Sequence, residues 1–154
     1  MSEPTVLADV GDQRVAEAAL VLRDQGLADP IVLGADVNSL SDVDDQAVFE
    51  TAEQVTAEFE AKGRSVDLGD PLIIGAILVR SGWAKGCVAG ASRPTGDVIR
   101  AGIRVLGTAP GVTAVSSCFF VLPGGQPIVC GDCGVRPNRN WWRSQYPAPT
   151  PFIN

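Results

Sequence analysis

The sequence contains no histidine. That absence excludes a Ser-His-Asp triad, a Cys-His pair and any His-ligated metal. It has no apolar run approaching ~18 residues, so no membrane-spanning helix is expected. The N-terminus MSEPTVLADV carries neither a basic segment nor a long apolar one, which argues against a secretory signal. Positive charge is scarce, with 12 Lys and Arg against 18 Asp and Glu, a net charge of −6. No broad basic field is left for coating nucleic acid or an anionic membrane. The expected location is the cytoplasm. Internal repeats are also lacking.

What remains is a chain of 154 residues with 45% hydrophobic and 19% charged residues, enough for one ordinary domain with a core. Val6–Asp9 reads as a strand, Arg14 to Gly26 as a helix with apolar positions 15, 18, 19 and 22 on one face, and Ile31–Leu33 as a second strand. Strand, helix and strand in that order point to an α/β domain with a parallel sheet. Residues 36–46 are acidic and read as a loop. Gln46 to Lys62 reads as a helix with its apolar face at 48, 52, 55 and 59, while Glu50, Glu53, Glu58 and Glu60 form a solvated face. Asp70-Pro71 is a strong helix start, an N-cap followed by proline in the first turn. Leu72 to Val79 is apolar nearly all round, so that helix should be deeply packed. Gly86 to Gly90 reads as a short strand. Ala114 to Leu122 and Gln126 to Cys130, joined by Pro123-Gly124-Gly125, read as a β-hairpin. From Val135 onward prolines and tryptophans dominate, and prolines 147, 149 and 151 preclude a regular element.

Cys87, Cys118, Cys130 and Cys133 each have small or apolar neighbours, a setting for reduced, largely buried thiols rather than a disulfide scaffold. Cys130-Gly-Asp-Cys133 is formally a C-x-x-C, but the pattern supplies no second ligand pair for zinc. The stretch Gly90-Ala-Ser-Arg-Pro-Thr-Gly-Asp-Val-Ile-Arg concentrates positive charge beside a bend. It matches neither G-x-x-x-x-G-K-[ST] nor G-x-G-x-x-G. It does place a helix start near Thr95-Gly96-Asp97, whose backbone N–H groups attract anions. Arg93 stands in the bend, and Arg100 and Arg104 share one helix face, four residues apart. A solvated face accounts for Arg104; Arg93 and Arg100 are candidates for an anion seat.

Several motifs in order resemble the phosphate acetyl/butyryltransferase family. They are Gly69-Asp-Pro-Leu-Ile-Ile-Gly-Ala-Ile-Leu-Val-Arg80, Val88-Ala-Gly-Ala, Thr95-Gly-Asp-Val-Ile-Arg100, Gly107-Thr-Ala-Pro-Gly111, Val115-Ser-Ser-Cys-Phe-Phe120 and Asp132-Cys-Gly-Val-Arg-Pro-Asn138. Gly11-Asp-Gln-Arg-Val15 and Gly26 to Gly34 extend the match towards the start. The resemblance implies an α/β, three-layer parallel-sheet domain with a β-hairpin. It implies acyl transfer between acyl-CoA and inorganic phosphate, giving acyl phosphate and CoA through attack of a thiolate in a ternary complex. That chemistry needs cations for phosphate, a base for the thiol and donors for the developing oxyanion. By resemblance Arg100 is the arginine that binds the anionic substrates. Ser92, Thr95 and Gly96 offer small polar groups and backbone N–H, and Ser116 and Ser117 occupy the family's Ser-Ser pair.

The resemblance also has departures. Arg93-Pro94 replaces the His-Thr or His-Ser common in the bend, adding a cation and stiffening it. The loop before the Asp-Pro helix is shortened to Glu60-Ala-Lys-Gly-Arg64, where Lys62 or Arg64 stands in for a family arginine that assists CoA binding. The match covers the first half of the family's catalytic domain, residues 1–138, and the family's base, transition-state arginine and serine belong to the second half. Residues 139–154 form an atypical tail, read as a truncated or out-of-frame terminus. No catalytic residue is assigned. The substrates are small molecules, with coenzyme A as a substrate rather than a tightly bound cofactor; no metal, nucleic acid or membrane partner is expected, and a homo-oligomer is compatible. The competing reading is a non-catalytic CoA- or phosphate-binding module that needs a missing or separate second half; a thiol redox protein is a third. Apolar surface left open on the Asp-Pro helix or the hairpin would favour self-association.

Overall fold

A computed structural model of the chain describes residues 4–112, 115 and 117–131. The chain divides into two compact units, Met1–Gly107 and Thr108–Asn154.

The first unit is built on three short parallel strands, β1 (Pro4–Leu7), β2 (Asp29–Val32) and β3 (Gly86–Val88), in the order β2-β1-β3. Val6 stands opposite Ile31 on one side and Cys87 on the other. Because strand side chains alternate, β1 feeds two cores. Val6, with Ala8 just beyond the strand, joins the main core, whereas Leu7 packs with Ala19 and Val32 on the opposite face. Helix α1 (Gln13–Asp24) covers that second face. Helices α2 (Gln46–Ala61), α3 (Pro71–Arg80) and α4 (Thr95–Val105) cover the first. The result is the expected α/β arrangement, three helices on one face of a parallel sheet and α1 on the other.

Helix α3 is the centre of the main core. Asp70 caps it by accepting from Leu72 N–H at 3.1 Å, Pro71 opens it, and every residue from Leu72 to Leu78 is buried. It lies so close to the sheet that a Cβ on Gly75 would sit 2.7 Å from Cys87 Sγ and 3.5 Å from Val6 Cγ1. Glycine is what permits that approach. In α2 the expected apolar face, Val48, Ala52, Val55 and Phe59, is buried as a set. Glu58 keeps to its expected solvated face, its side chain 42% exposed, but it is paired there. It takes two hydrogen bonds from Arg80, Nη2 to Oε1 at 2.6 Å and Nη1 to Oε2 at 3.1 Å, and Nη1 also donates to the Val105 carbonyl at 2.8 Å. One guanidinium thus ties α2, α3 and α4 together. Helix α1 is packed more lightly, with Ala19 its one buried residue, and Leu20 and Val21 exposed. The acidic 36–46 loop contains a 3-10 turn at Leu40–Asp42, where Asp42 accepts from the Asn38 and Ser39 N–H groups.

In the second unit β4 (Cys118–Val121) pairs antiparallel with β5 (Ile128–Gly131), Cys118 opposite Gly131. The connection runs through Pro123–Gly125, as the hairpin reading requires. Phe119, Val121, Leu122, Ile128 and Val129 are all exposed. Apolar surface is therefore left open on the hairpin, not on the Asp-Pro helix.

One expectation is overturned. Cys118 and Cys130 are exposed rather than buried, and Cys87, exposed as a residue, keeps only its sulfur packed against α3 at Gly75. Small and apolar neighbours do not bury a residue when its strand lies at a sheet edge, as β3 does, or in a two-stranded ribbon, as β4 and β5 do. Cys133, Ser116 and the 139–154 tail lie outside the described residues.

Candidate functional site

The bend between β3 and α4 is held by a residue from another part of the chain. Asp9 follows β1 and is 3% exposed. Its Oδ2 accepts from Gly90 N–H at 2.9 Å and Ala91 N–H at 3.1 Å. Its Oδ1 accepts from Ser92 N–H at 2.9 Å and Ser92 Oγ at 2.8 Å. Three successive amides converge on one carboxylate, an anion nest filled by the protein's own side chain. Gly90 makes the turn with φ at +106°, a left-handed conformation that side chains avoid. Burial alone would raise the Asp9 pKa, but the hydrogen bonds from Ser92, Ala91 and Gly90 together outweigh it and hold the carboxyl below its ordinary value. Arg14 grips the same bend from its carbonyl side, donating from Nη2 to Ala91 O at 2.8 Å while also pairing with Asp12 at 2.6 Å.

Held in this way, the bend presents Arg93 towards the start of α3 and leads directly into α4. A cavity of about 180 Å³ lies there, lined by Asp70, Leu72, Ile73, Arg93, Asp97, Arg100, Ala101 and Arg104. Three guanidiniums face two carboxylates. Arg93 Nη2 lies 3.4 Å from Asp70 Oδ2, and Arg100 Nη1 lies 2.6 Å from Asp97 Oδ1. Arg104 makes no ion pair among the described residues. The three arginines of this stretch all line that cavity, and Arg104 is exposed, as its solvated-face reading expects.

The helix start adds to this positive field. Helices α1, α2 and α3 are each capped by an aspartate side chain, from Asp12, Asp45 and Asp70. Helix α4 begins after Pro94, which supplies no side-chain cap. The N–H groups of Thr95 and Gly96 thus head the helix without one. The Ser92 hydroxyl donates to Asp9 Oδ1 at 2.8 Å. Ser117 lies in the second unit, and its hydroxyl is shielded with no hydrogen-bond partner among the described residues.

Two further cavities adjoin α4. One of about 290 Å³ is lined by Phe59, Lys62, Arg64, Ile103 and Arg104, so Arg104 faces both it and the arginine cavity. The other, about 220 Å³, is lined by apolar side chains of α3 and α4 together with Cys87 and Ala89. Among the described residues no cluster of His, Cys, Asp or Glu suits a metal ion, and no helix is long and apolar enough to cross a membrane.

Sequence reasoning misses Asp9 and Arg14 because each acts through contacts some 80 residues away. The signal available was an aspartate directly after a buried strand, which must find donors or leave a charge uncompensated.

Comparison with known proteins follows the same lines. The profile of the phosphate acetyl/butaryl transferase family matches residues 2–140. Phosphate acetyltransferases of Staphylococcus epidermidis and Staphylococcus aureus are each 32% identical over 152 aligned residues, covering 86% of this chain and 46% of theirs. The structure of EutD phosphotransacetylase from Staphylococcus aureus matches with a TM-score of 0.70 at 26% identity, over 89% of this chain and 48% of that one. A phosphotransacetylase from Streptococcus pyogenes matches with a TM-score of 0.64 at 25% identity, over 87% and 47%. The chain spans about half the length of these relatives. With the matched profile running through both the Asp70-Pro71 helix and the arginine-bearing bend, the chain belongs to the phosphate acetyl/butaryl transferase family.

Proposed function

We propose that this chain binds the anionic substrates of acyl transfer between acyl-CoA and inorganic phosphate, the reaction that yields acyl phosphate and CoA. The observation that carries the reading is the convergence of Arg93, Arg100 and Arg104 at the uncapped start of α4. Arg100 and Arg93 hold the phosphoryl oxygens, and the amides of Thr95 and Gly96 add donors at the helix start. Ser92 contributes by fixing the bend, not by touching substrate. Ser116 and Ser117 are kept as candidate donors to the acyl group. Lys62 and Arg64, with Arg104, offer cations for the phosphates of CoA in the adjoining cavity.

Charge is the working principle. Phosphate carries its charge on oxygens that bidentate guanidinium groups match in geometry, and the carboxylates of Asp70 and Asp97 hold the guanidiniums in place until an anion replaces them. Acyl transfer also needs a base for the CoA thiol. Such a base belongs, by resemblance, to the part of the relatives that this chain does not span. The second reading is therefore a phosphate- and CoA-binding module whose chemistry needs that other half.

Calorimetric titration with inorganic phosphate and CoA, together with an assay of CoA-dependent acetyl phosphate formation, tests both. Arg100→Ala should weaken phosphate binding at least tenfold, since a lost charge-assisted bidentate contact is worth about 1.5–3 kcal/mol. An unchanged affinity removes Arg100 from the site. Binding of CoA without turnover favours the module.

A further inference from the structure

The strand order β2-β1-β3 puts the first strand in the middle of the sheet. The helix after β1 lies on one face, and the helix after β3 lies on the other. The chain thus leaves these two neighbouring strands in opposite directions. A crevice opens between their carboxyl ends, the place where open α/β sheets bind ligands. In this chain the protein itself bridges that crevice. From the β1 side, Asp9 takes the amides of residues 90–92 and the Ser92 hydroxyl, while Arg14 donates to the Ala91 carbonyl. The bridging loop is braced on its far side as well, where Val10 packs so closely on Gly34 that a Cβ there would overlap it.

The bend has little else to fix it. Residues 90–96 are all exposed, and the core takes in only the flanking Ala89 and Val98. A segment without a buried side chain is set by its hydrogen bonds, and the Gly90, Ala91 and Ser92 amides all give theirs to Asp9. Arg93 and the open amides of Thr95 and Gly96 follow directly.

We propose that Asp9 and Arg14 are positioning residues for phosphate binding: they hold Arg93 and the start of α4 ready for the anion without touching it. The proposal rests on the reading of the arginine cavity as the phosphoryl seat, and it adds two residues from the far end of the chain. Without the bridge, the ligand has to order the bend as it binds, and that lost conformational freedom is subtracted from its affinity. Asp9→Ala keeps Cβ and removes only the carboxylate, so it vacates a nest of amides that suits a formate ion. Added formate then takes the place of the missing group.

The full chain is titrated calorimetrically with inorganic phosphate and, separately, with CoA. Asp9→Ala should weaken phosphate binding about tenfold, the cost of ordering roughly one residue of backbone. Arg14→Ala gives up one hydrogen bond to the bend and should weaken it about threefold. The Arg14 side chain is 73% exposed, so this variant should fold, and it decides the matter alone if Asp9→Ala does not. CoA affinity should stay unchanged in both; an equal loss for both ligands means general loosening and overturns the proposal. Formate should raise the phosphate affinity of Asp9→Ala towards that of the wild type. In the wild type, whose nest is full, formate should only compete and lower it. Formate that lowers the affinity of both proteins alike counts against the proposal. On an Arg93→Ala background Asp9→Ala should cost much less, and a full tenfold loss there would show that Asp9 does not act through that guanidinium. Phosphate binding that neither Asp9→Ala nor Arg14→Ala changes overturns the positioning role and leaves the seat standing. Failure of phosphate to bind the wild type overturns the reading of the arginine cavity, and the positioning role with it.

Discussion

Removing the Asp9 carboxylate tests whether the bend carrying Arg93 is held from within. Four donors converge on this side chain, three of them backbone amides. At about 1.5 kcal/mol for a hydrogen bond to a charged group, four would sum to about 6 kcal/mol. The donors belong to residues 90–92, which are exposed, so water re-satisfies much of what is lost. A net cost of about 2–4 kcal/mol for Asp9→Ala follows. With a urea m-value of about 2 kcal/mol/M, the unfolding midpoint falls by about 1–2 M. Asp9→Asn adds a sign-specific readout. The folded-state pKa of Asp9 lies below its ordinary value, so the unfolded chain binds the extra proton first as pH falls. The stabilisation is complete above the unfolded pKa of about 4 and is lost as pH drops through the lower folded value. The wild-type chain should therefore lose a share of its stability below pH ~4 that Asp9→Asn, already weaker at neutral pH, does not lose. Urea unfolding of the three proteins between neutral and acid pH measures this. A loss under about 0.5 kcal/mol for Asp9→Ala, or identical acid slopes for wild type and Asp9→Asn, would refute the argument.

The close approach of α3 to the sheet predicts that Gly75→Ala destabilises by about 1–3 kcal/mol, because the new methyl overlaps Cys87 Sγ. Adding Cys87→Ala should recover part of that loss in the same denaturation experiment, and an unperturbed single variant would contradict the packing. With a thiol pKa of about 11, Cys87 is roughly one part in a thousand thiolate at pH 8. In a chain whose other three cysteines are serine, its alkylation by iodoacetamide should be slow and rise about tenfold per pH unit from 8 to 10. A plateau near pH 9 is the outcome that does not fit.

Local signals were strong enough to be read where they were complete in themselves. Asp70-Pro71 announced α3 because cap and proline act within one turn, and the 48, 52, 55 and 59 spacing of α2 needed no knowledge of what it packs against. The arginine-rich bend was legible as a helix start for the same reason. What stayed hidden depends on partners distant in sequence. Glu58 is part-exposed as read, but its pairing with Arg80, 22 residues on, was out of reach of the sequence. Arg104 is exposed as read, but one helix face says nothing about the cavities it also lines. Asp9 read as the end of a strand, yet it leaves the strand at Leu7 to bind residues 81 to 83 positions away. The cysteines misled because neighbour chemistry reports on sequence and not on whether a strand is an edge.

The self-filled nest at Asp9 has a consequence for how any ligand is read. In a glycine-rich phosphate loop the main chain does the recognising, and its rigid amides discriminate by shape. Here those amides are already saturated by an internal anion. In the proposed seat, discrimination falls to half-exposed guanidiniums on flexible stems, 43% exposed at Arg93 and 54% at Arg100. Such a seat counts charge more than it measures outline. A seat of that kind would exchange one anion for another readily, and salt would weaken its attraction by screening, with a Debye length of about 8 Å at physiological ionic strength.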